Sequence, residues 1–531
     1  MNASGSESSS PVLARSAGVT GAATLASRIL GLVRDQVLAA FFGAGSEMDA
    51  FVVAFRIPNL VRDLFAEGAM SAAFVPTFTR RLTLAGKTEA WRLANNLINA
   101  LLLITSVLVV LGIMFAPSIV TAYARDFSDV PGKLELTIRL TRVLLPFLVM
   151  VAVAAAAMGM LNSLHHYFVP ALSPALFNVA TIVGAFVLVP LMPAVGLPRI
   201  TAIAIAALVG GLLQVLAQWP SLHREGYRYR ASFDLRDPAL RQVLMLMGPG
   251  TVGLAATQVN LFINTLLATS QGTGAVSWLS YAFRLMYLPI GLFGVSIATA
   301  TLPAVSRRIA LGDRDGVRRT VAHALAMMLV LNVPATFGLV VLSTPIVRLL
   351  FEHGRFVPAD TAATAGALRF YAVGLVGYAT ARIASPVFYA LGRSRVPVIV
   401  SVSAIALNIV ANLLLVRFLG FGGLALGTSI AMIVNGAVLL VLLRRHLDGL
   451  EEWALSVTFV KIVLASCVMG AAASAVSHLF SGVTAGRGLA LQVADVTASI
   501  LSGVAVLVVV ARMLHIREFE EALSSVTARL K

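Results

Sequence analysis

Two consecutive apolar segments near the N-terminus carry arginines and acids that a helix facing lipid cannot hold. They occupy residues 27–81, which read SRILGLVRDQVLAAFFGAGSEMDAFVVAFRIPNLVRDLFAEGAMSAAFVPTFTRR. An arginine held at the centre of a bilayer costs about 2.5–3.5 kcal/mol on insertion scales. Several arginines in one place must therefore face each other, a water-filled cavity or an anionic ligand. This requirement restricts the chain to folds that enclose a polar interior.

The charges of each segment fall on one helical face. At 100° per residue, Arg28, Arg34 and Asp35 share an arc of roughly 140° with small and hydroxylated residues. An arc of similar width collects the charges of the second segment. We therefore predict that the two faces line a cationic cavity that receives a phosphate-bearing substrate. The second arc contains Asp49, Arg56, Asn59, Arg62, Asp63 and Glu67.

A structural explanation of these charges stays open beside the functional one. Residues near helix ends can reach the membrane interface, and neighbouring charges can pair to hold two helices together. Arg34 and Asp35 could pair locally, and the same explanation suits Asp63 and Glu67. Such pairs still leave an excess of arginine. Excess positive charge favours an anionic ligand, because the guanidinium binds phosphate oxygens through two parallel hydrogen bonds.

The composition identifies a polytopic helical membrane protein. Of 531 residues, 58% are hydrophobic and 12% are charged, whereas soluble domains carry about 25% charged residues. Long apolar runs without alternation exclude a porin-type barrel. Cys467 is the single cysteine, and no metal-spaced cluster, nucleophile–base pair or nucleotide-binding loop is present. We therefore predict a protein that is not an enzyme and has no cofactor.

Apolar windows of about 20 residues predict about fourteen transmembrane helices. Basic residues concentrate in alternate connections, which places both termini in the cytoplasm. The net charge of +16 thus follows membrane topology and does not indicate a nucleic acid partner. The predicted spans are 17–43, 46–70, 92–116, 136–162, 170–192, 198–220, 242–269, 276–302, 320–343, 362–390, 396–418, 422–444, 455–479 and 488–512.

An internal repeat divides the chain into two parallel lobes. Three pairs of segments match at a constant offset of 227 or 228 residues. One period contains six spans, so both copies have the same orientation, and such repeats place the substrate site between them. In the second lobe, the main charged residue inside an apolar span is Arg284, which matches Arg56 in the repeat. The matched segments are 74–86 with 301–313, 54–59 with 282–287, and 116–120 with 344–348.

We therefore predict two parallel six-helix lobes followed by two extra C-terminal helices. The predicted parts are a disordered cytoplasmic N-terminus at 1–16, the N-lobe at 17–222, a basic cytoplasmic linker at 223–241, the C-lobe at 242–446, a final helix pair at 453–512 and a cytoplasmic tail at 513–531.

Three sequence segments resemble one known family. The segment 27–78, with SWLSYAFRLMYLPIGLFGVSIATATLP and PVFYALGRSRVPV, is similar to the MurJ (MviN) family of lipid II flippases. This family belongs to the multidrug/oligosaccharidyl-lipid/polysaccharide exporter superfamily. The resemblance covers essentially the whole chain. It implies alternating access that moves undecaprenyl-diphosphate-MurNAc-pentapeptide-GlcNAc from the cytoplasmic to the periplasmic face of the bacterial inner membrane.

The resemblance also implies partners and site residues. The partners are lipid II and membrane lipids, with cell-wall synthesis proteins left open, and the final helix pair would form a groove for the lipid tail. Phe283 stands where the family often has an acid, which puts an ion pair there in doubt. By motif, the family's substrate-binding residues fall on Arg28, Arg34, Asp49, Arg62, Arg284 and Glu67, while Arg56 and Asn59 join them from the helical face.

The sequence leaves energy coupling open. Some family members resemble sodium-coupled carriers, and Asn408, Asn412 and Thr428 occupy comparable positions. No carboxylate accompanies them, so interhelical hydrogen bonding is the alternative explanation. The energy source is therefore open between a coupling ion and the membrane potential.

Three other functions are alternatives to this one. A flippase for another polyprenyl-linked oligosaccharide satisfies the same physics and differs only in motif match. A multidrug antiporter of the same superfamily would need buried carboxylates for organic cations. A scaffold for cell-wall enzymes would not need a stripe of charge inside the membrane.

Overall fold

The computed structural model describes residues 10–63, 73–231, 234, 236–291, 295–484 and 488–530. Within these ranges the chain forms nineteen α-helices and no strand, which confirms the all-α prediction. The chain divides into two compact units, Met1–Gly274 and Ala275–Lys531.

The first unit contains α1 to α8. Each predicted span of this unit overlaps a helix or two consecutive helices, and residues 64–70 of the second span lie outside the described residues. Pro146 separates α4 from α5 within the fourth span. The helices are Ser10–Phe42, Ser46–Arg62, Val75–Tyr123, Lys133–Leu144, Phe147–Ser163, Phe168–Val187, Thr201–Arg224 and Pro238–Thr269.

The second unit contains α9 to α19. The eighth predicted span is divided between α9 and α10, and the tenth between α13 and α14. The helices are Ala275–Pro289, Val295–Ala310, Arg314–Val341, Ser343–Phe351, Pro358–Val373, Leu375–Ala390, Arg395–Leu419, Phe421–His446, Glu452–Thr484, Leu489–Met513 and Arg517–Leu530.

Nine helices in the described part are long and apolar enough to cross a membrane. Short helices account for some of the remaining predicted spans, because α2, α9 and α14 have 17, 15 and 16 residues. At the N-terminus, α1 begins at Ser10, so the helix includes residues 10–16 that the sequence suggested to be disordered. Pro11 suits the first turn of a helix because the missing N–H would have no intrahelical partner there.

The connection between α7 and α8 is anchored in the core of the first unit. Tyr227 is buried, and its ring centre lies 5.3 Å from that of Trp91 on α3. Its hydroxyl donates to Asn95 Oδ1 at 2.8 Å. Near the start of α3, Gly86 has φ 80° and ψ 177°, a conformation that residues with a Cβ rarely adopt. The predicted linker at 223–241 therefore contacts a kinked extension of α3.

The predicted final helix pair, α17 and α18, packs within the second unit. Val330 and Val333 of α11 form one apolar core with Ile462, Ala465 and Met469 of α17. The α17–α18 pair packs closely at Gly503, where a Cβ would lie 3.3 Å from the Cβ of Ala473. The boundaries of the two lobes, the linker and the final helix pair stay predictions.

Candidate functional site

Arg34 on α1 is held by an acid and an amide. Its Nε and Nη2 donate to Asp35 Oδ1 at 3.2 and 2.9 Å, and its Nη1 donates to Asn178 Oδ1 on α6 at 3.0 Å. Asn178 Nδ2 in turn donates to the carbonyl of Ser27 at 3.0 Å. The local ion pair that the sequence left open is therefore present. The ion pair and the hydrogen bond to Asn178 together hold the guanidinium against α6.

Phe177 connects the charged face of α1 with α2. The Arg34 guanidinium carbon lies 5.6 Å from the centre of the Phe177 ring, within the range of a cation–π contact. The Phe177 ring stacks on Phe55 of α2 with centres 5.7 Å apart. Phe55 directly precedes Arg56, so an aromatic bridge places the two polar segments around the same part of α6.

Arg28 is the charge without a protein partner. Its side chain is half-buried, and it forms no hydrogen bond or ion pair with any residue, within the part of the chain that the structure describes. Arg28 lies six residues before Arg34 on the same helical face. A partly buried guanidinium retains strong hydrogen-bonding demand. The position is therefore suited to an anionic ligand.

Arg56 and Asn59 on α2 contribute further unpaired groups. Arg56 Nε and Asn59 Oδ1 are buried and have no hydrogen-bond partner among the described residues. Asn59 Nδ2 donates to the Phe55 carbonyl at 2.9 Å, and the Arg56 side chain lies beside the hydroxyl of Tyr123. Buried polar atoms normally have partners. This pair therefore offers a donor and an acceptor to a polar ligand.

Arg62 pairs with the next residue. Its Nε and Nη2 donate to Asp63 Oδ1 at 3.0 and 2.7 Å, with side chains 35% and 25% exposed. Nη1 makes no hydrogen bond within the described ranges. Glu67, predicted nearby, lies outside the described residues. Among the described residues, one edge of the Arg62 guanidinium therefore has no partner.

Asp49 contacts protein groups on two sides. It is fully buried, and its Oδ2 accepts from Lys133 Nζ at 2.9 Å and from the backbone N–H of Gly274 at 2.7 Å. Lys133 Nζ also lies 4.0 Å from the centre of the Phe127 ring. The substrate contact of Asp49 remains a prediction. Sequence reasoning missed Lys133, whose only signal was an isolated lysine just before the fourth span.

Arg284 is exposed on α9 in the second unit. The preceding residue, Phe283, packs edge-on against Tyr371 at 5.4 Å between ring centres, so an aromatic contact occupies the position where an acid was expected from the family.

Arg382 on α14 was missed by sequence reasoning. Its Nη2 donates to the Tyr287 hydroxyl at 3.3 Å, and its guanidinium carbon lies 6.0 Å from the Tyr378 ring centre. Neither partner is an acid. The available signal was an arginine inside the apolar window 362–390, which also contains Arg369. The second unit therefore carries an arginine on each of two neighbouring transmembrane elements.

The three candidate sodium-binding residues form a hydrogen-bonded chain between α15 and α16. Asn412 Nδ2 donates to Asn408 Oδ1 at 3.2 Å, and Asn408 Nδ2 donates to Thr428 Oγ1 at 3.3 Å. The Thr428 hydroxyl donates to the carbonyl of Leu424 at 2.8 Å. Among the described residues, no cluster of three or more His, Cys, Asp or Glu could hold a metal ion. Of these three contacts, the one from Asn408 to Thr428 joins two helices, and the sodium site remains a prediction.

Charged residues fasten the α7–α8 connection to α3. Glu225 accepts from Lys87 Nζ and contacts His166 Nε2, both at 2.8 Å. Hydrogen bonds from Lys87 and then His166 hold the pKa of Glu225 below its ordinary value. Burial raises the pKa of the Tyr227 hydroxyl.

Asp237 caps α8 and binds Arg81. The carboxylate accepts from Arg81 Nη1 at 2.8 and 2.9 Å and from the backbone N–H of Ala239 at 2.9 Å. Burial by itself would raise the pKa of Asp237, but the hydrogen bonds from Arg81, Ala239 and Asn96 outweigh it, so the pKa lies below its ordinary value.

Comparison with known proteins gives one family. Residues 38–491 match the family model described as "Lipid II flippase MurJ". The "Probable lipid II flippase MurJ" of Vibrio cholerae is 34% identical over 436 residues, covering 80% of this chain and 82% of the relative. That of Rickettsia prowazekii is 31% identical over 500 residues, covering 94% and 97%.

Solved structures show the same fold. The structure titled "Lipid II flippase MurJ, inward closed conformation" has a TM-score of 0.76 and 28% identity, covering 93% of this chain and 99% of that one. An inward-facing multidrug resistance transporter of the MATE family has a TM-score of 0.66 at 17% identity, covering 80% and 96%. The second likeness concerns the fold alone.

Proposed function

The chain belongs to the lipid II flippase MurJ family, and we propose that its charged helices carry the head group of lipid II across the membrane. It is a multi-pass membrane transporter, and its substrate is lipid II. In our proposal, Arg28, Arg34, Arg62 and Arg284 bind the diphosphate, with Arg56, Asn59 and Glu67 contributing to the polar path.

The observation that carries this proposal is the half-buried guanidinium of Arg28, which has no partner in the described chain. A diphosphate cannot cross hydrocarbon unaided, and arginine binds phosphate oxygens in pairs with a charge that persists at any physiological pH. The open edge of Arg62 and the unpartnered atoms of Arg56 and Asn59 add donors and an acceptor along α2.

We also propose a membrane location for the protein and a route for lipid II. The protein lies in the bacterial inner membrane with both termini in the cytoplasm, and lipid II moves by alternating access from the cytoplasmic to the periplasmic face. The tail stays in lipid along α17 and α18. Arg382 extends the cationic path in the second lobe, because its described contacts are tyrosines and leave its charge unneutralised.

The alternatives are less well supported. The family match favours lipid II over other polyprenyl-linked oligosaccharides. A multidrug antiporter shares the fold, but the arginine excess on α1 and α2 suits an anion. Partnership with cell-wall synthesis proteins remains a suggestion of the family resemblance.

The test measures lipid II flipping and protein abundance together. Arg28→Ala and Arg284→Ala should lose flipping while membrane insertion continues, since an arginine inside the membrane opposes insertion by about 2.5–3.5 kcal/mol. Arg28→Lys should retain part of the activity, because it keeps the charge and loses the planar fork. Arg393→Ala, in an exposed connection, is the matched control. Normal flipping by both alanine variants at normal abundance would refute the cationic path.

A further inference from the structure

Asp495 is a buried carboxylate inside α18, outside the polar path described above. It is the seventh residue of a helix that is long and apolar enough to span a membrane, which places it about 9 Å from the helix start. Its exposure is 6%, and the fully buried Ser499 donates its hydroxyl to Asp495 Oδ1 at 3.2 Å. An ionisable residue inside a transmembrane helix costs free energy to insert, and such residues usually have a function.

The surrounding helices supply no counter-charge. α18 packs against α17 and α12. No ion pair joins Asp495 to any residue of the described chain, and Arg348 on α12 pairs instead with Glu352 at 3.6 Å. A buried carboxylate without a counter-charge is unfavourable, and no described residue neutralises this one, so the site suits a cation from outside the protein. The other described cationic or titratable side chains on these three helices are Lys461, Cys467, His478 and Arg512.

A buried oxygen without a described partner lies on the same face as Asp495. Gln492 is one turn before Asp495 and Ser499 is one turn after it, so all three side chains point the same way from α18. Gln492 Oε1 is buried and has no hydrogen-bond partner among the described residues. Carboxylate, hydroxyl and amide oxygens are hard ligands that suit a proton or an alkali cation.

We propose that Asp495 binds a small monovalent cation, a proton or a sodium ion, within the α17–α18 pair, with Ser499 and Gln492 as auxiliary oxygen groups. This site differs from Asn408, Asn412 and Thr428, which bond to one another and include no carboxylate. Because α18 packs on α12 and α17 packs on α11, cation binding here can change the packing of α11 and α12.

The experiment uses the purified full chain and has two arms. In the sodium arm, the thermal unfolding midpoint is measured against sodium chloride, with choline chloride at equal ionic strength, because a bound ligand stabilises the folded state. In the proton arm, infrared difference spectra record the carbonyl stretch of a protonated carboxylic acid. Each arm compares the native chain with Asp495→Asn and with Glu520→Gln, an exposed acid on α19.

We expect the native chain to give a signal in one of the two arms. This signal should be lost in Asp495→Asn and should remain in Glu520→Gln. If sodium is the ligand, Ser499→Ala should raise the half-saturating sodium concentration about tenfold, because it removes a hydrogen bond to a charged group. If a proton is the ligand, Ser499→Ala should shift the carbonyl band. This variant also serves as the test should Asp495→Asn fail to accumulate. The absence of both signals in the native chain would overturn the proposal, and neither arm depends on flipping.

Discussion

Lys133 Nζ lies 2.9 Å from Asp49 Oδ2, and the two side chains are 2% and 0% exposed. The pair joins the start of α4 to the start of α2. In the second unit, Trp278 Nε1 donates to Asp360 Oδ1 at 2.8 Å and joins the starts of α9 and α13. At the offset of 228 residues that the neighbouring matched segments have, Asp360 lies one residue before the equivalent of Lys133, and Trp278 lies one residue beyond the equivalent of Asp49. In each unit, a side-chain contact therefore joins the two corresponding helix starts. The contact is an ion pair in the first unit and a hydrogen bond from an indole N–H in the second.

The first prediction concerns this buried ion pair. Asp49→Asn or Lys133→Met should each lower the free energy of unfolding by about 3–5 kcal/mol, because each leaves one buried charge unpaired. The double variant should regain much of the loss, since both charges are gone and the introduced asparagine keeps an acceptor for the backbone N–H of Gly274. Thermal unfolding and membrane abundance of the three variants provide the measurement.

The flipping assay separates a structural role from a substrate contact at the same position. If Asp49 supports flipping only by pairing with Lys133, the double variant should recover both its abundance in the membrane and its flipping activity. An abundant double variant without flipping would instead support the predicted substrate contact of Asp49. Glu135→Gln, at an exposed acid on α4, is the control for removing a charge from this region.

The second prediction concerns acid stability of the α7–α8 connection. The pKa of Glu225 is held below its ordinary value by Lys87 and His166. Its contribution to stability is therefore complete above the unfolded-state pKa of about 4.3 and is lost as pH falls through the lower folded value. The difference in unfolding midpoint between the native chain and Glu225→Gln should be constant above about pH 5 and should shrink in more acidic buffer. A difference that grew on acidification would contradict the assignment.

The third prediction concerns topology. From the alternating basic connections we predict that both termini lie in the cytoplasm. Reporter fusions after Arg230 and at the C-terminus should both give a cytoplasmic signal, and a fusion in the α8–α9 connection, after Gln271, should give a periplasmic one. A periplasmic C-terminus would refute the even number of spans.

The fourth prediction concerns α17 and α18. Deletion of residues 453–531 should leave a chain that inserts into the membrane, because the paired spans lie outside the repeat. Flipping should fall sharply if these helices guide the lipid tail. The deletion also uncovers Val330 and Val333 on α11, so the matched control replaces Ile462 and Met469 by Ala, which loosens this contact and retains both helices. Full activity of the deletion would refute the tail groove.

The sequence by itself determined the helices and their polar faces. Apolar windows located spans that overlap the described helices, apart from residues 64–70 and 292–294, which lie outside the described residues. They could do so because crossing hydrocarbon demands about 20 apolar residues whatever the neighbours are. The helical period placed Arg28, Arg34 and Asp35 on one face, because the angle between residues of one helix is fixed locally. The ion pair of Arg34 with Asp35 involves adjacent residues and could be anticipated for the same reason.

Only the tertiary structure decided which groups meet. Asp49 pairs with a lysine 84 positions away, and Arg34 bonds to an asparagine 144 positions away. The period of a helix specifies the direction of its own side chains, but it carries no information about which residue of another helix arrives opposite them. For the same reason, only the packed helices show that Arg28 and Asp495 have no counter-charge among the described residues. Burial and charge pairing are properties of the assembled helices, and those two properties distinguish an ion pair from a ligand site.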